Sequence, residues 1–228
     1  MTIRHVYDFG DDRALVGDDL VRPEAWDALR TRTNGPFAMA DSTEEAERQA
    51  RAHPELVQRA GALATWLDGE RIARMVSYGA GGGTLELLVA AREQAPELVL
   101  TDYGPETVAR LRRVLPAVEV VHHDLLVDAP LEGDLHLFHR IDTEFDNRQL
   151  RAILRRFTDR HVLVIATGTV TPLEALREVA YRFRNRRVSR AGWRRTAATF
   201  EALWRHTHEA RRLTLHDLPA WDLRPRTA

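Results

Sequence analysis

Four glycines within five residues, Gly79, Gly81, Gly82 and Gly83, follow a short apolar run and lead straight into a helical pattern. A turn so poor in Cβ atoms costs chain entropy, and in return a ligand can approach backbone N–H groups and the start of a helix. The run Ser77-Tyr78-Gly79-Ala80-Gly81-Gly82-Gly83-Thr84 therefore reads as a strand-to-helix turn that cradles a polar or anionic group. The dinucleotide fingerprint G-x-G-x-x-G, counted from Gly79, needs Gly or Ala where this chain has Thr84. Gly79, Gly81 and Gly83 instead read G-x-G-x-G.

The pattern around that turn predicts an α/β fold. From Arg71 onward, apolar runs at Ile72 to Ser77, Leu98 to Asp102, Val118 to His122, Leu135 to His139 and His161 to Ala166 read as strands. Leu85, Leu88 and Val89, then Val108, Leu111 and Leu115, then Leu150, Ile153, Leu154 and Phe157 mark helices between them, so successive strands are parallel. Thr171 with Pro172 opens a fourth helix and Thr196 a fifth, through Phe200, Leu203 and Trp204. Leu213, Leu215, Trp221 and Leu223 suggest a closing hairpin. Residues 1–70 show no buried strand: Ser42 and Glu45 form a capping box, and Leu56, Val57, Ala60, Leu63, Ala64 and Leu67 recur at helical spacing after Pro54. The expected organisation is an N-terminal helical cover, 1–70, on an α/β domain, 71–228.

Composition narrows the chemistry. At 228 residues the chain suits one sheet-centred core with an appendage. With no cysteine, disulfides, thiolate nucleophiles and cysteine-held metals are excluded, and with no lysine so is a Schiff base. No apolar run approaches the ~20 residues that cross a bilayer. The acidic start at Asp8, Asp11 and Asp12 is unlike a signal peptide, so no membrane association and a cytoplasmic location are expected. The net charge of -1 hides two electrical halves. Residues 150–228 carry seventeen Arg against seven Asp and Glu, leaving sixteen basic against twenty-seven acidic residues in 1–149.

Two carboxylates complete a nucleoside-binding pattern. Asp102 closes the second strand roughly 20 residues beyond Gly79, where a strand-edge carboxylate can accept both hydrogen bonds of a ribose diol. Asp124, at the end of the third strand, could accept a hydrogen bond from an exocyclic amine. Glycine turn, Asp102, Asp124 and terminal hairpin together resemble the class I S-adenosylmethionine-dependent methyltransferases over roughly residues 70–224. That resemblance implies a doubly wound, seven-stranded, mostly parallel Rossmann-like sheet with its last strand antiparallel, and S-adenosylmethionine as cofactor. It would set Gly79, Gly81 and Gly83 at the amino-acid end of the cofactor, Asp102 at the ribose, and Asp124 with Leu125 at the adenine. Ser77, Ala80 and Tyr103 are the further cofactor-site candidates. The chain departs from the family at Ser77, where an acidic residue is usual two positions before the first glycine.

On the acceptor side, methyl transfer asks mainly for alignment, with a base only where the acceptor carries a proton. By the same resemblance the segment Phe138-His139-Arg140-Ile141-Asp142-Thr143-Glu144 would carry acceptor-site residues, and it lacks the Asn/Asp-Pro-Pro-aromatic motif of amino-methylating DNA enzymes. His139 is the candidate general base. His122, His123, His139 and Asp142 have no metal-ligand spacing, and no metal is expected. Trp26, Phe37 and Trp66 are candidate cover aromatics over a small-molecule acceptor. An alternative acceptor is RNA, held by Arg182, Arg184, Arg186, Arg187, Arg190, Arg194 and Arg195 with Phe183 and Trp193 interleaved. The acidic N-terminal half argues against nucleic acid. A third reading is a non-catalytic or repurposed member of the fold. A homodimer is compatible with all three.

Overall fold

A computed structural model describes residues 1–4, 23–31, 38–184 and 192–226. Its centre is a seven-stranded sheet of β2 (Arg74–Tyr78), β3 (Glu97–Asp102), β4 (Glu119–His122), β5 (Leu135–His139), β6 (Val162–Ile165), β8 (His208–Leu215) and β9 (Leu218–Pro225). The spatial order is β4-β3-β2-β5-β6-β9-β8. The first five strands are parallel, β9 runs antiparallel to β6, and β8 completes the hairpin with β9. The predicted mixed sheet, antiparallel last strand included, is the observed one.

Helices cover both faces because each strand turns alternate side chains to opposite sides. Met75, Leu100, Leu137, Leu163 and Ala220 face one core, together with Leu63 and Leu67 of α3 (Pro54–Glu70), Leu85 of α4 (Thr84–Ala90) and Leu111 of α5 (Pro105–Val114). Their strand neighbours Val76, Val99, Phe138, Val164 and Trp221 face the other, with Leu150 and Leu154 of α6 (Asn147–Arg155) and Phe200 and Trp204 of α8 (Ala197–Trp204). Parallel strands covered on both faces are mostly apolar, which is why the sequence shows them as short apolar runs rather than strict alternation.

Two local expectations are modified. Ser42 caps α2 (Thr43–Arg51) by accepting from the Glu45 N–H at 3.2 Å, but the Glu45 carboxylate reaches back to the Asp41 N–H at 2.8 Å rather than to Ser42. Val57, assigned to the apolar stripe of α3, is 42% exposed, because α3 buries only the side carrying Ala60, Leu63, Ala64 and Leu67. A complete capping box, not anticipated, starts α6: Asp146 accepts from the Gln149 N–H at 2.7 Å and Gln149 accepts from the Asp146 N–H at 2.9 Å. Asp146→Ala should lower unfolding free energy by about 1 kcal/mol, read as a shift in the urea midpoint with an unchanged m-value.

A second, two-stranded sheet contradicts the expectation that residues 1–70 hold no buried strand. β1 (Thr2–Arg4) pairs antiparallel with β7 (Trp193–Arg195), and Ile3 is buried against Val170 and Ala175, the latter in α7 (Pro172–Arg184). A three-residue strand carries too little pattern to stand out in a sequence. It forms here because its partner strand arrives from the far end of the chain.

Candidate functional site

Strand order reverses at β2, whose neighbours β3 and β5 lead away in opposite directions. Connections leaving to opposite faces of the sheet open a crevice beyond the carboxyl ends of the strands, the usual ligand position in this class of fold. A cavity of about 950 Å³ lies there. The glycine turn forms its floor, tied to the neighbouring strand by the Ala80 N–H donating to the Thr101 carbonyl at 2.9 Å.

The turn glycines answer two different needs. At Gly83, with φ of 66°, an added Cβ would stand 2.7 Å from Leu111 Cδ2, so this position serves packing. At Gly81, with φ of 59°, the nearest neighbour of an added Cβ is the Arg30 guanidinium at 3.4 Å. The space cleared by Gly81 thus faces a side chain of α1 (Pro23–Arg30), an element outside the sheet.

Asp102 stands at the end of β3 with its side chain wholly buried. Oδ2 accepts from the Gly81 N–H at 3.0 Å, and Oδ1 from the Gly104 N–H at 3.0 Å and Arg30 Nη1 at 3.0 Å. Arg30 also donates to Thr107 Oγ1 at 2.8 Å and lies over the Trp26 ring. Asp27 anchors the same helix by accepting from the Thr107 N–H at 3.0 Å and Thr107 Oγ1 at 2.6 Å, at the start of α5. The carboxylate expected to hold a diol is therefore engaged by an arginine that the sequence reading did not single out. A diol approaching Oδ1 of Asp102 would compete with that guanidinium.

The other nucleoside-side candidates line the same cavity: Gly79, Ala80, Gly81 and Gly83 on the floor, with Tyr103, Asp124 and Leu125 beside them. Asp124 Oδ1 accepts from the Leu126 N–H at 2.8 Å, closing a turn that holds Leu125 buried. Ser77 is fully buried one layer below and does not line the cavity; its hydroxyl donates to Glu86 Oε1 at 2.6 Å, and Glu86 does.

His139, Arg140, Ile141, Glu144 and Thr167, which end or follow β5 and β6, also line the cavity. His139 Nε2 is shut off from solvent and has no hydrogen-bond partner among the described residues. Burial, with Arg140 and Arg59 adding positive charge, pushes its imidazole down to about 3. The ring is uncharged throughout the neutral range and is a weak proton acceptor. Arg140 takes a left-handed backbone, φ 59°, a strain of about 1 kcal/mol or more that a non-glycine residue bears only where its surroundings enforce it. Glu144 accepts from Trp26 Nε1 at 3.1 Å and Thr143 Oγ1 at 3.1 Å, and desolvation pushes its carboxyl up to about 7. α1 therefore touches two carboxylates that line the cavity, Arg30 on Asp102 and Trp26 on Glu144.

Several candidates go elsewhere. Trp66 is not among the lining residues; it packs edge-on against His161, with ring centroids 5.9 Å apart. Phe37 lies outside the described residues, as do Arg186, Arg187 and Arg190. His122 Nε2 bonds the Tyr103 carbonyl and His123 Nε2 the Ala129 carbonyl, while Asp142 Oδ1 accepts from the Thr167 N–H and hydroxyl. Arg195, grouped with the phosphate-binding arginines, is fully buried. It donates to Asn147 Oδ1 at 2.7 Å and to the carbonyls of Asp142 and Phe145, with its guanidinium over Phe200. It cannot serve a nucleic-acid surface.

Arg30 and Glu86 are the site residues that sequence reasoning missed, whereas Glu144 stands in the acceptor segment without having been singled out from it. Of these two, Glu86 carries a local signal, as a lone carboxylate inside the apolar run Leu85 to Val89.

No protein-family model matches the sequence, and no curated protein does. Solved structures do. Human N-acetylserotonin methyltransferase, solved in complex with SAM, superposes with a TM-score of 0.59 at 18% identity, covering 74% of this chain and 52% of that one. The mitomycin 7-O-methyltransferase gives a TM-score of 0.59 at 21% identity over 75% of this chain and 54% of the other. An O-methyltransferase family protein from Burkholderia thailandensis covers 98% of this chain and 65% of its own, with a TM-score of 0.57 and 14% identity. The chain thus spans about half the length of the first two. Its fold is the Rossmann-like fold of the class I S-adenosylmethionine-dependent methyltransferases.

Proposed function

We propose that the protein transfers a methyl group from S-adenosylmethionine to a small molecule bearing an ionisable hydroxyl. The observation that carries this reading is that one cavity is lined together by the glycine turn, Asp102, Glu144 and His139. Its volume of about 950 Å³ is at the upper end for a small-molecule site. The residues present fit the cofactor: the floor is free of Cβ atoms at Gly81, and Asp102 offers a carboxylate at the strand edge. Asp102 with Tyr103 would hold the ribose, Asp124 and Leu125 the adenine, and the turn from Gly79 to Gly83 the amino-acid end. When bound, S-adenosylmethionine supplies a methyl group already activated on sulfur.

The chain's own work is then positioning, exclusion of water and management of one proton. Residues 1–70 serve as a cover over the 71–228 domain, with Trp26 above Glu144 and Arg30 above Asp102. Glu144, held near neutrality, takes the acceptor's proton on its carboxylate, and the uncharged His139 ring forms part of the wall beside it. A base must be deprotonated to act, so kcat should rise with pH through about 7 and then level off. Glu144→Gln should abolish that rising limb and lower kcat by about 10²–10⁴-fold, with cofactor affinity unchanged.

The solved neighbours named above as O-methyltransferases, together with Glu144, favour an oxygen acceptor. Arg195 in the core weakens the RNA alternative. Incubation with methyl-labelled S-adenosylmethionine and a panel of small phenols and hydroxylated heterocycles tests the reading. Label recovered on a panel hydroxyl supports it, and label entering RNA but no panel member contradicts it.

A further inference from the structure

Glu86 is 1% exposed, lines the cavity beside the glycine turn, and is bonded by the buried Ser77 hydroxyl at 2.6 Å. No cation among the described residues forms an ion pair with it. A buried carboxyl without a counter-charge is costly to ionise, and burial pushes the Glu86 carboxyl above the usual carboxylate range. Groups kept in that condition inside a ligand cavity are candidates for recognising an opposite charge. The Ser77 hydroxyl donates its one proton to Oε1, which favours the ionised form and fixes the carboxyl's orientation. A cation arriving from the cavity would complete the balance.

We infer that Glu86 receives the primary ammonium group at the amino-acid end of S-adenosylmethionine, supplying from α4 the carboxylate that Ser77 does not supply from β2. The inference rests on the cofactor reading above and adds a recognition residue to it. Ser77 becomes a positioning residue, acting through Glu86.

Two nucleosides separate this role from a structural one. S-adenosylhomocysteine carries the ammonium group, whereas methylthioadenosine keeps the nucleoside and the thioether but lacks the amino-acid end. With calorimetric titration of both ligands, Glu86→Gln should weaken S-adenosylhomocysteine by about tenfold or more, the scale of one charge-assisted hydrogen bond. It should leave methylthioadenosine within about twofold of the unsubstituted protein. Equal weakening of both ligands, or none of either, overturns the inference. Should Glu86→Gln fail to fold, the exchange variant S77D/E86Q keeps one carboxyl and one hydrogen bond between the two positions. It should retain the preference for S-adenosylhomocysteine, and loss of that preference overturns the inference. An unsubstituted protein that binds neither ligand overturns the cofactor reading itself, a result distinct from either variant outcome.

Discussion

Asp102→Ala is expected to destabilise the protein and to abolish nucleoside binding together. The carboxylate accepts from two backbone N–H groups, of Gly81 and Gly104, and from Arg30. Truncation leaves both amides without an acceptor and a guanidinium, only 13% exposed, without its anion. Removing one partner of a buried pair costs about 3–5 kcal/mol, a large part of a total of about 5–15 kcal/mol. The reciprocal variant has the opposite sign for binding. Arg30→Ala should tighten S-adenosylhomocysteine by about tenfold, because the ligand no longer displaces a charge-assisted bond worth about 1.5–3 kcal/mol. Urea unfolding and calorimetric titration of the two variants check both statements. If Arg30→Ala instead weakens binding, Arg30 contacts the ligand rather than holding its place.

Arg195→Met should cost about 3–5 kcal/mol as well, because it strands three buried or part-buried acceptors that each cost about 1–3 kcal/mol. The substitution takes donors from Asn147 Oδ1 and two carbonyls in the segment that joins β5 to α6, and loosens the β7 strand that pairs with β1. Burial pushes the Arg195 guanidinium down to about 10, so it remains a cation at neutral pH and its loss strands buried acceptors. At 2–4 °C per kcal/mol for a chain of this size, Tm should fall by roughly 10 °C, with S-adenosylhomocysteine affinity at low temperature unchanged. A loss below about 1 kcal/mol would return Arg195 to the solvent-facing group in which its sequence context places it.

The parts of this structure that were legible in the sequence are those written in local pattern. Continuous apolar runs such as Val162 to Ile165 mark strands covered on both faces, and the glycine turn and Asp102 stand where a strand ends. The terminal hairpin is visible because its two strands adjoin in sequence. What was not legible depends on contacts between distant residues. Arg30 and Asp102 meet across 72 positions, Trp26 and Glu144 across 118, and Thr2 faces Arg195 from the other end of the chain. No spacing rule links such pairs. Arg195 misled for the same reason, since a run of arginines reads as a solvated face until the fold turns one of them inward. His139 illustrates a different gap: its place on the cavity wall follows from the strand, but its low basicity follows from burial and two nearby arginines.

Equilibrium titration with S-adenosylhomocysteine, followed by heat release and by Tm, bears most directly on the account. Saturable binding that raises Tm, and is lost in Asp102→Ala, is the predicted result. At a hundredfold excess over Kd the ligand should contribute about 2.7 kcal/mol to stability. A folded protein that shows neither heat nor a shift in Tm at millimolar ligand would contradict the account.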